Sequence, residues 1–347
     1  MIAAYIPPPP FKILFSIGAL SIHMYSLLMV VAILFALWWS GRRVAKAGGD
    51  SDAFQTIGLV AIICGIVGAR LYHVITEHAR YFGPGSDPWD VFKVWNGGLS
   101  VIGAIIGGGI GLWVMCRWRG IDTAAVADCV APTLFIAQAI GRVGNYFNQE
   151  AFGKPTTLPW GLQVDPSALQ ANGLISYLTP GCTLTNCPVL PTFHPTFLYE
   201  GLWNILGCVL LLWAIRKFKL QHGKAMASYV LWYAFGRFFI ELIRIDPVST
   251  IYGLRINDWT SGVIFLVALG ILIFLMKKFP TSVDKPLAGM AEKWNRVKPE
   301  SDAGEPAPVT TEESETPSEE AESSEEVEKP TEAAEEPVTE ATSADEA

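Results

Sequence analysis

The chain has 347 residues, of which 51% are hydrophobic, and its formal net charge is −8. This apolar content excludes a large soluble domain and indicates a protein that crosses a membrane. The charge is divided unevenly, since residues 300–347 contain 18 acidic residues and one lysine, whereas the preceding 299 residues have a net charge of +9. A basic folded part suits a protein that handles anionic lipid.

Seven apolar runs of the chain have the length and composition of membrane-crossing helices. The predicted spans are residues 21–39, 57–74, 99–116, 124–140, 197–215, 225–243 and 261–275. The fourth run is the least apolar, and we expect it to be short or broken. The sequence therefore predicts an all-α polytopic membrane protein with about seven transmembrane helices.

The positions of lysine and arginine predict the orientation, because these residues are enriched in cytoplasmic loops. With the N-terminus outside, the cytoplasmic loops carry most of the basic residues, namely Arg42, Arg43, Lys46, Arg117, Arg119, Arg216, Lys217, Lys219 and Lys224. The last span ends in Lys277 and Lys278 on the same side. The C-terminus is then inside, and residues 142–196 lie on the extracytoplasmic side.

Two segments lie outside the predicted spans. The segment 142–196 contains both prolines and apolar residues, so we expect a small ordered extracytoplasmic head. Cys182 and Cys187 lie within it, and the oxidising compartment favours a disulfide over two free thiols. After the last span the hydrophobic pattern stops, which predicts a disordered acidic cytoplasmic tail over residues 285–347 and a transmembrane catalytic domain over residues 1–284.

The densest group of hydrogen-bonding side chains directly follows the fourth apolar run. Arg142, Asn145, Asn148 and Glu150 lie within nine residues of one another. A guanidinium suits a phosphate, amides suit glycerol hydroxyls, and the carboxylate would orient an arginine or accept a proton. The alternative is a membrane-surface cap in which the arginine reaches water. The density of polar groups favours a bound lipid head group, and Gly153 would let backbone approach a neighbour closely.

A second group lies at the end of the sixth span. Arg237, Glu241 and Arg244 are four and three residues apart, which places them on one face of a helix. Arg237 lies too deep to reach water easily, and Glu241 is its natural counter-ion. A structural ion pair is the alternative, but Arg244 is a second cation that Glu241 balances only partly. Asp246 would be the counter-ion of Arg244 instead.

Three weaker signals accompany these groups. His194 lies six residues before Glu200 at the start of the fifth span, where proton transfer and ordinary helix-start chemistry are equally good interpretations. Asn96, Gly97 and Gly98 precede the third span, and glycine pairs before a helix leave backbone N–H groups for an anion. Two further candidates are an interfacial tyrosine and an arginine within the second span, Tyr25 and Arg70.

Four segments together resemble the bacterial prolipoprotein diacylglyceryl transferases. They are Gly141-Arg142-x-Gly144-Asn145-x-x-Asn148-x-Glu150-x-x-Gly153, His194-Pro195-x-x-Leu198-Tyr199-Glu200, Arg237-x-x-x-Glu241-x-x-Arg244 and His23-x-Tyr25. The resemblance covers residues 21–275, and the acidic tail is similar to extensions of actinobacterial members. One departure is Asn96, because many members have a histidine at this place. A mechanism that uses this imidazole as the general base does not transfer to this chain.

The resemblance implies an enzyme of the bacterial cell membrane whose active site faces the extracytoplasmic side. Such an enzyme transfers the diacylglyceryl group of phosphatidylglycerol to the lipobox cysteine thiol of a prolipoprotein signal peptide, forming a thioether and releasing glycerol phosphate. Its partners are membrane lipid and prolipoproteins, with no nucleic acid, and its chemistry needs no metal or organic cofactor.

The implied site divides into catalytic and substrate-binding residues. The catalytic candidates are Arg142, Arg237, Glu150 and His194. The substrate-binding candidates are Arg142, Asn145, Asn148, Gly153, Tyr25, Asn96, Gly97, Gly98, Glu241, Arg244 and Arg70. We expect the two catalytic arginines to stabilise the departing phosphate, Arg237 to lower the pKa of the attacking thiol, and Glu150 or His194 to accept its proton.

Other classes of protein fit the sequence less well. A non-catalytic phospholipid binder or transporter is the main alternative, since basic intramembrane residues suit it. However, the chain shows no internal repeat, and its polar groups cluster toward one side of the membrane. An intramembrane hydrolase would need a nucleophile, and no histidine is placed with Ser100 by the sequence. A member of the family with an altered substrate preference is a further alternative, because Asn96 stands where many members have a histidine.

Overall fold

The computed structural model describes residues 5–17, 20–94, 97–246, 248 and 250–296. Its helices, in chain order, are α1 (Met24–Lys46), α2 (Ser51–Thr76), α3 (His78–Phe82), α4 (Val101–Trp118), α5 (Thr123–Asn148), α6 (Pro166–Ala171), α7 (Thr196–Phe218), α8 (Lys224–Glu241), α9 (Ile256–Lys278) and α10 (Met290–Arg296). Its strands are β1 (Ile13–Ile17), β2 (Leu20–His23), β3 (Leu162–Gln163), β4 (Thr192–Phe193), β5 (Thr250–Ile251) and β6 (Leu254–Arg255), paired as three antiparallel two-stranded sheets.

Long apolar helices dominate the fold. Within the described residues, six of them (α1, α2, α4, α5, α7 and α9) are long and apolar enough to cross a membrane. The helix α8 matches the sixth predicted span but carries Lys224, Arg237 and Glu241, and it packs against α5, α7 and α9. The prediction of an all-α polytopic membrane protein is confirmed, with six such helices rather than the seven expected.

The helix α5 differs from the prediction of a short or broken fourth span. It is continuous over 26 residues although Pro132 lies inside it, and it ends where Gln149 adopts a left-handed backbone with φ of 50°. Arg142, Asn145 and Asn148 therefore lie on its last two turns and not in a loop. Polar side chains do not end a helix when neighbouring elements supply their hydrogen-bond partners.

The start of the first span also differs from the prediction. Residues 21–23 belong to β2, which pairs with β1 as a hairpin before α1 begins at Met24. Further upstream, Ile6 pairs with the head through backbone hydrogen bonds to residues 161 and 163.

The predicted head is ordered and lies between α5 and α7. Its core contains buried apolar side chains, namely Phe152, Leu162, Val164, Leu169 and Phe193. Since α5 ends at Asn148 and α7 begins at Thr196, the head covers residues 149–195 and not 142–196. The predicted disulfide between Cys182 and Cys187 is confirmed.

The first residues of the predicted tail are ordered. Leu287 and Met290 are only 2% and 1% exposed, and they belong to a core cluster that includes Val44 and Phe54 of α1 and α2. Met290 is the first residue of the helix α10, so order extends past the predicted tail boundary at residue 285. Residues 297–347, with nearly all of the acidic charge assigned to the tail, lie outside the described residues.

Candidate active site

Four arginines from different elements converge where α5 and α8 end and where α7 and α9 begin. They are Arg142 on α5, Arg237 on α8, Arg244 just after α8, and Arg255 at the start of α9. Each side chain is at most 21% exposed. Buried guanidinium groups need opposite charge, and three carboxylates supply it, namely Glu200, Glu241 and Asp246. We call these seven residues the arginine network.

The carboxylate of Glu200 joins the two helices that carry the two catalytic arginine candidates. Its Oε2 lies 2.8 Å from Arg142 Nη2, and its Oε1 lies 2.9 Å from Arg237 Nη1. The Nη1 of Arg244 is 3.9 Å from the same Oε1. Glu200 is 4% exposed and lies on the first turns of α7. One carboxylate is therefore shared by two arginines from different helices.

The sequence left the role of Glu200 open between proton transfer and helix-start chemistry, and it did not predict the ion pairs of Glu200 with Arg142 and Arg237. At the start of a helix, a glutamate is equally well explained by ordinary helix-start chemistry, and no residue near it in the chain requires it as a counter-ion. One feature of the sequence does indicate that Glu200 has a partner. It lies within an apolar run, where an ionisable side chain needs an opposite charge or a hydrogen bond. Arg142 and Arg237 are 58 and 37 residues away in the chain, so only the helix packing places them beside it.

The predicted pair of Arg237 and Glu241 is confirmed, with 2.7 Å between Nη2 and Oε2. Glu241 is fully buried and also lies 3.1 Å from Arg255 Nη2 through its other oxygen, which accepts a hydrogen bond from Asn257 as well. Arg244 lies 3.8 Å from Glu241 and pairs more closely with Asp246, at 2.7 Å, as predicted. Because α8 ends at Glu241, Arg244 lies beyond the helix and not on its face.

The amides of α5 extend the network toward Glu150. Arg142 Nη1 donates to Asn145 Oδ1 at 3.2 Å, and Asn145 Nδ2 donates to Glu150 Oε1 at 2.8 Å. Asn148 Nδ2 donates to the same Glu150 oxygen at 3.2 Å. The four residues predicted to form one group are therefore adjacent, and Glu150 is connected to Arg142 through Asn145.

Tyr25 reaches this group from α1. Its ring lies against Gly144, where an added Cβ atom would be 2.7 Å from Tyr25 Cδ2. Gly144 is thus required by close packing between α1 and α5, and this contact places the tyrosine beside the helix end that carries Arg142.

We expect Gly144→Ala to destabilise the protein by about 1–3 kcal/mol, because the added methyl overpacks this contact. Gly141→Ala is the matched control on the same helix, since its added Cβ would lie 3.5 Å from Met29 Sδ, an ordinary van der Waals distance. Thermal unfolding of the purified variants in detergent measures both effects. An equal unfolding midpoint for the two variants would contradict the packing role of Tyr25.

His194 is held at the edge of the network. Its backbone carbonyl accepts from Gly153 N at 2.9 Å, and an added Cβ on Gly153 would lie 2.9 Å from both His194 Cβ and Ile243 O. The close approach predicted at Gly153 is confirmed. The ring Nδ1 of His194 lies 3.2 Å from Tyr199 Oη, which accepts a hydrogen bond from Trp160. Among the described residues, no ion pair joins His194 to the arginine network.

Arg70 has a different environment from the one expected of a substrate ligand. Its guanidinium donates to the carbonyl oxygens of Val91, Gly97 and Gly98 at 2.7, 2.6 and 3.0 Å, and further to those of residues 90 and 93. These bonds hold the loop before α4. The Gly97 N–H bonds to Val94 O instead of facing an anion. Asn96 lies outside the described residues.

An apolar cavity of about 520 Å³ opens beside the network, between α8 and α9. Phe235, Phe238 and Phe239 line it from α8, and Arg237 lies between them in the chain. Val263 and Leu266 line it from α9. The helix α8 therefore presents a cation to the network and aromatic side chains to the cavity.

Among the described residues, no group of three histidine, cysteine or acidic side chains is arranged to hold a metal ion.

Comparison with known proteins identifies similar chains. The family model of prolipoprotein diacylglyceryl transferase matches residues 12–274. Several relatives carry the name phosphatidylglycerol–prolipoprotein diacylglyceryl transferase, among them the following three. The chain is 46% identical to that of Cutibacterium acnes over 274 residues, covering 79% of this chain and 88% of the relative. It is 44% identical to that of Rhodococcus jostii over 268 residues, which cover 77% of this chain and 74% of the relative. It is 41% identical to that of Corynebacterium glutamicum over 323 residues, which cover 92% of this chain and 99% of the relative.

Proposed function

The chain belongs to the prolipoprotein diacylglyceryl transferase family, and we propose that its arginine network is the site where the diacylglyceryl group is transferred. The protein is a transferase that moves this group from phosphatidylglycerol to a prolipoprotein. The observation that carries the site assignment is the sharing of one buried carboxylate, Glu200, by Arg142 and Arg237. Both guanidinium groups are thereby held at fixed positions within reach of one anion.

The reaction joins a thiol sulfur to a glycerol carbon. The cysteine sulfur of the prolipoprotein attacks the carbon of the diacylglyceryl group that is bonded to the phosphate oxygen. As the thioether bond forms, the carbon–oxygen bond breaks, and glycerol phosphate leaves with the electron pair. Negative charge therefore increases on the phosphate in the transition state.

Arg142 and Arg237 would stabilise this charge. A guanidinium has five N–H donors in a planar fork that matches phosphate oxygens. Arg142 uses one nitrogen for Glu200 and another for Asn145, and Arg237 uses its two terminal nitrogens for Glu200 and Glu241. The remaining N–H groups are available to a phosphate, and fixed donors aimed at developing charge are the most effective electrostatic catalysts.

The remaining proposed contacts orient the lipid and take up the thiol proton. Asn145 and Asn148 would hold the glycerol hydroxyls of the head group. Both amides bond to Oε1 of Glu150, and we assign its Oε2 to accept the proton of the attacking thiol. His194, which is bonded to Tyr199, is the second candidate for this step. The cavity beside α8 would take an acyl chain, because its lining is apolar.

The protein is a multi-pass bacterial membrane protein, and we place its site on the extracytoplasmic side. The network lies where α5 and α8 end and where α7 and α9 begin. The opposite ends of α7 and α9 carry Arg216, Lys217, Lys277 and Lys278. Since basic residues favour the cytoplasmic side, their distribution supports a site that faces outward, where prolipoproteins are delivered.

The test uses purified protein in phosphatidylglycerol vesicles with a lipobox peptide, followed by mass spectrometry. We expect the peptide to gain the mass of one diacylglyceryl group. A peptide whose cysteine is replaced by alanine is the matched control and should gain nothing. If the cysteine peptide is not modified while the protein still binds phosphatidylglycerol, the proposed site is a lipid-binding site without transfer.

A further inference from the structure

The helices α7 and α8 meet through two copies of the same short sequence unit. Trp203 is followed four residues later by Gly207 on α7, and Trp232 is followed four residues later by Gly236 on α8. The two indole rings are stacked, with 4.3 Å between their centroids and an interplanar angle of 12°. The two antiparallel helices therefore present matching surfaces to each other.

The two indoles exchange hydrogen bonds. Trp203 Nε1 donates to the carbonyl oxygen of Trp232 at 3.1 Å, and Trp232 Nε1 donates to that of Trp203 at 3.1 Å. A polar N–H inside a membrane helix bundle is costly unless it has a partner. Because each donor uses the backbone of the other tryptophan, both bonds form at only one relative position of the helices.

The glycines make room for this exchange. An added Cβ on Gly236 would lie 2.0 Å from Trp203 Nε1, and its three nearest atoms all belong to Trp203. An added Cβ on Gly207 would lie 2.5 Å from Trp232 Nε1. Each indole thus lies directly on the glycine of the opposite helix. A shift of one residue along a helix is about 1.5 Å, which would break both bonds and remove both rings from their glycines.

The reciprocal contact lies next to the arginine network. Gly236 immediately precedes Arg237, and Trp203 follows Glu200 by three residues, which is nearly one helical turn. We propose that Trp203 and Trp232, with their glycines, are positioning residues that fix the register of α7 against α8 and so hold Arg237 at 2.9 Å from Glu200. The proposal rests on the assignment of Arg237 to the transfer site.

The test is a double-mutant cycle between Gly236→Ala and Trp203→Ala, measured by lipobox-peptide transfer in phosphatidylglycerol vesicles. Gly236→Ala alone should lower kcat by about 10- to 100-fold without raising the peptide KM, because the displaced Arg237 acts in the transition state. In the Trp203→Ala background the same change should lower kcat by less than about twofold, since the clashing ring is absent. Trp213→Ala is the matched control on α7, because Trp213 is half exposed and lies away from the network.

The outcomes separate the positioning role from a general structural role. An equal loss of kcat in both backgrounds, or full activity of folded Gly236→Ala, would overturn the proposal. If Gly236→Ala does not fold and the double variant does, the steric contact is supported. The kcat of Trp203→Ala must then fall below that of Trp213→Ala, and an equal kcat overturns the positioning role. Arg237→Ala is measured alongside. If it retains full transfer, the site assignment fails, whereas inactive Arg237→Ala with fully active Gly236→Ala overturns only the register proposal.

Discussion

Arg142→Ala is expected to reduce transfer by about 10²- to 10³-fold, which is the usual effect of removing one fixed donor from a developing negative charge. The variant should stay folded, because Glu200 keeps its ion pair with Arg237 at 2.9 Å. It also loses the hydrogen bond from Arg142 to Asn145, which connects the network to Glu150. The initial rate of peptide modification in phosphatidylglycerol vesicles measures the effect.

Two further variants sharpen this prediction. Arg142→Lys keeps the positive charge but loses the planar fork, so we expect a rate between those of the wild type and the alanine variant. Arg216→Ala, in the last turn of α7, removes an arginine away from the network and should leave the rate unchanged. Undiminished transfer by Arg142→Ala would remove this residue from the site.

The sequence was sufficient to predict most of the fold, because apolar runs directly report the helices that a bilayer requires. It was insufficient at the ends of the helices. The fourth span was predicted to end at residue 140, but α5 continues to Asn148 because its polar side chains bond to one another and to Glu200. Such bonds depend on tertiary packing, which a hydropathy pattern does not report.

The residues of the site were predictable to the extent that their partners are near in the chain. Arg237 and Glu241 are one turn apart on α8, and their pairing follows from helix geometry. The ion pairs of Glu200 were not predicted, because its partners come from α5 and α8.

Arg70 shows a different limit of the sequence. An arginine within an apolar run indicates a need for partners but does not say which ones. Here, the partners are backbone carbonyls of the loop before α4, including those of Gly97 and Gly98. The structure therefore favours a role in holding this loop over direct binding of the substrate.

Glu200→Gln is expected to impair both stability and transfer. The amide keeps the shape of the side chain but removes the charge that Arg142 and Arg237 share. It also turns an NH₂ group toward one of the guanidinium groups, which are themselves only donors. Leaving buried charges without their partner costs about 3–5 kcal/mol, so the unfolding midpoint should fall clearly. Glu292→Gln on α10 is the control, because that exposed pair with Arg296 contributes about 0–1 kcal/mol.

The effect of Glu200→Gln on transfer follows from the same geometry. Without the shared carboxylate, the two guanidinium groups repel each other and move apart, and a misplacement of 1 Å at a reacting group can cost about 10²-fold in rate. The rate in vesicles is measured well below the unfolding midpoint, so that the loss reflects geometry and not unfolding. Glu200→Asp keeps the charge on a shorter side chain and should retain more activity than Glu200→Gln. Wild-type transfer by folded Glu200→Gln would show that the two arginines are positioned without this carboxylate, and Glu241 would then be the residue that holds Arg237 in place.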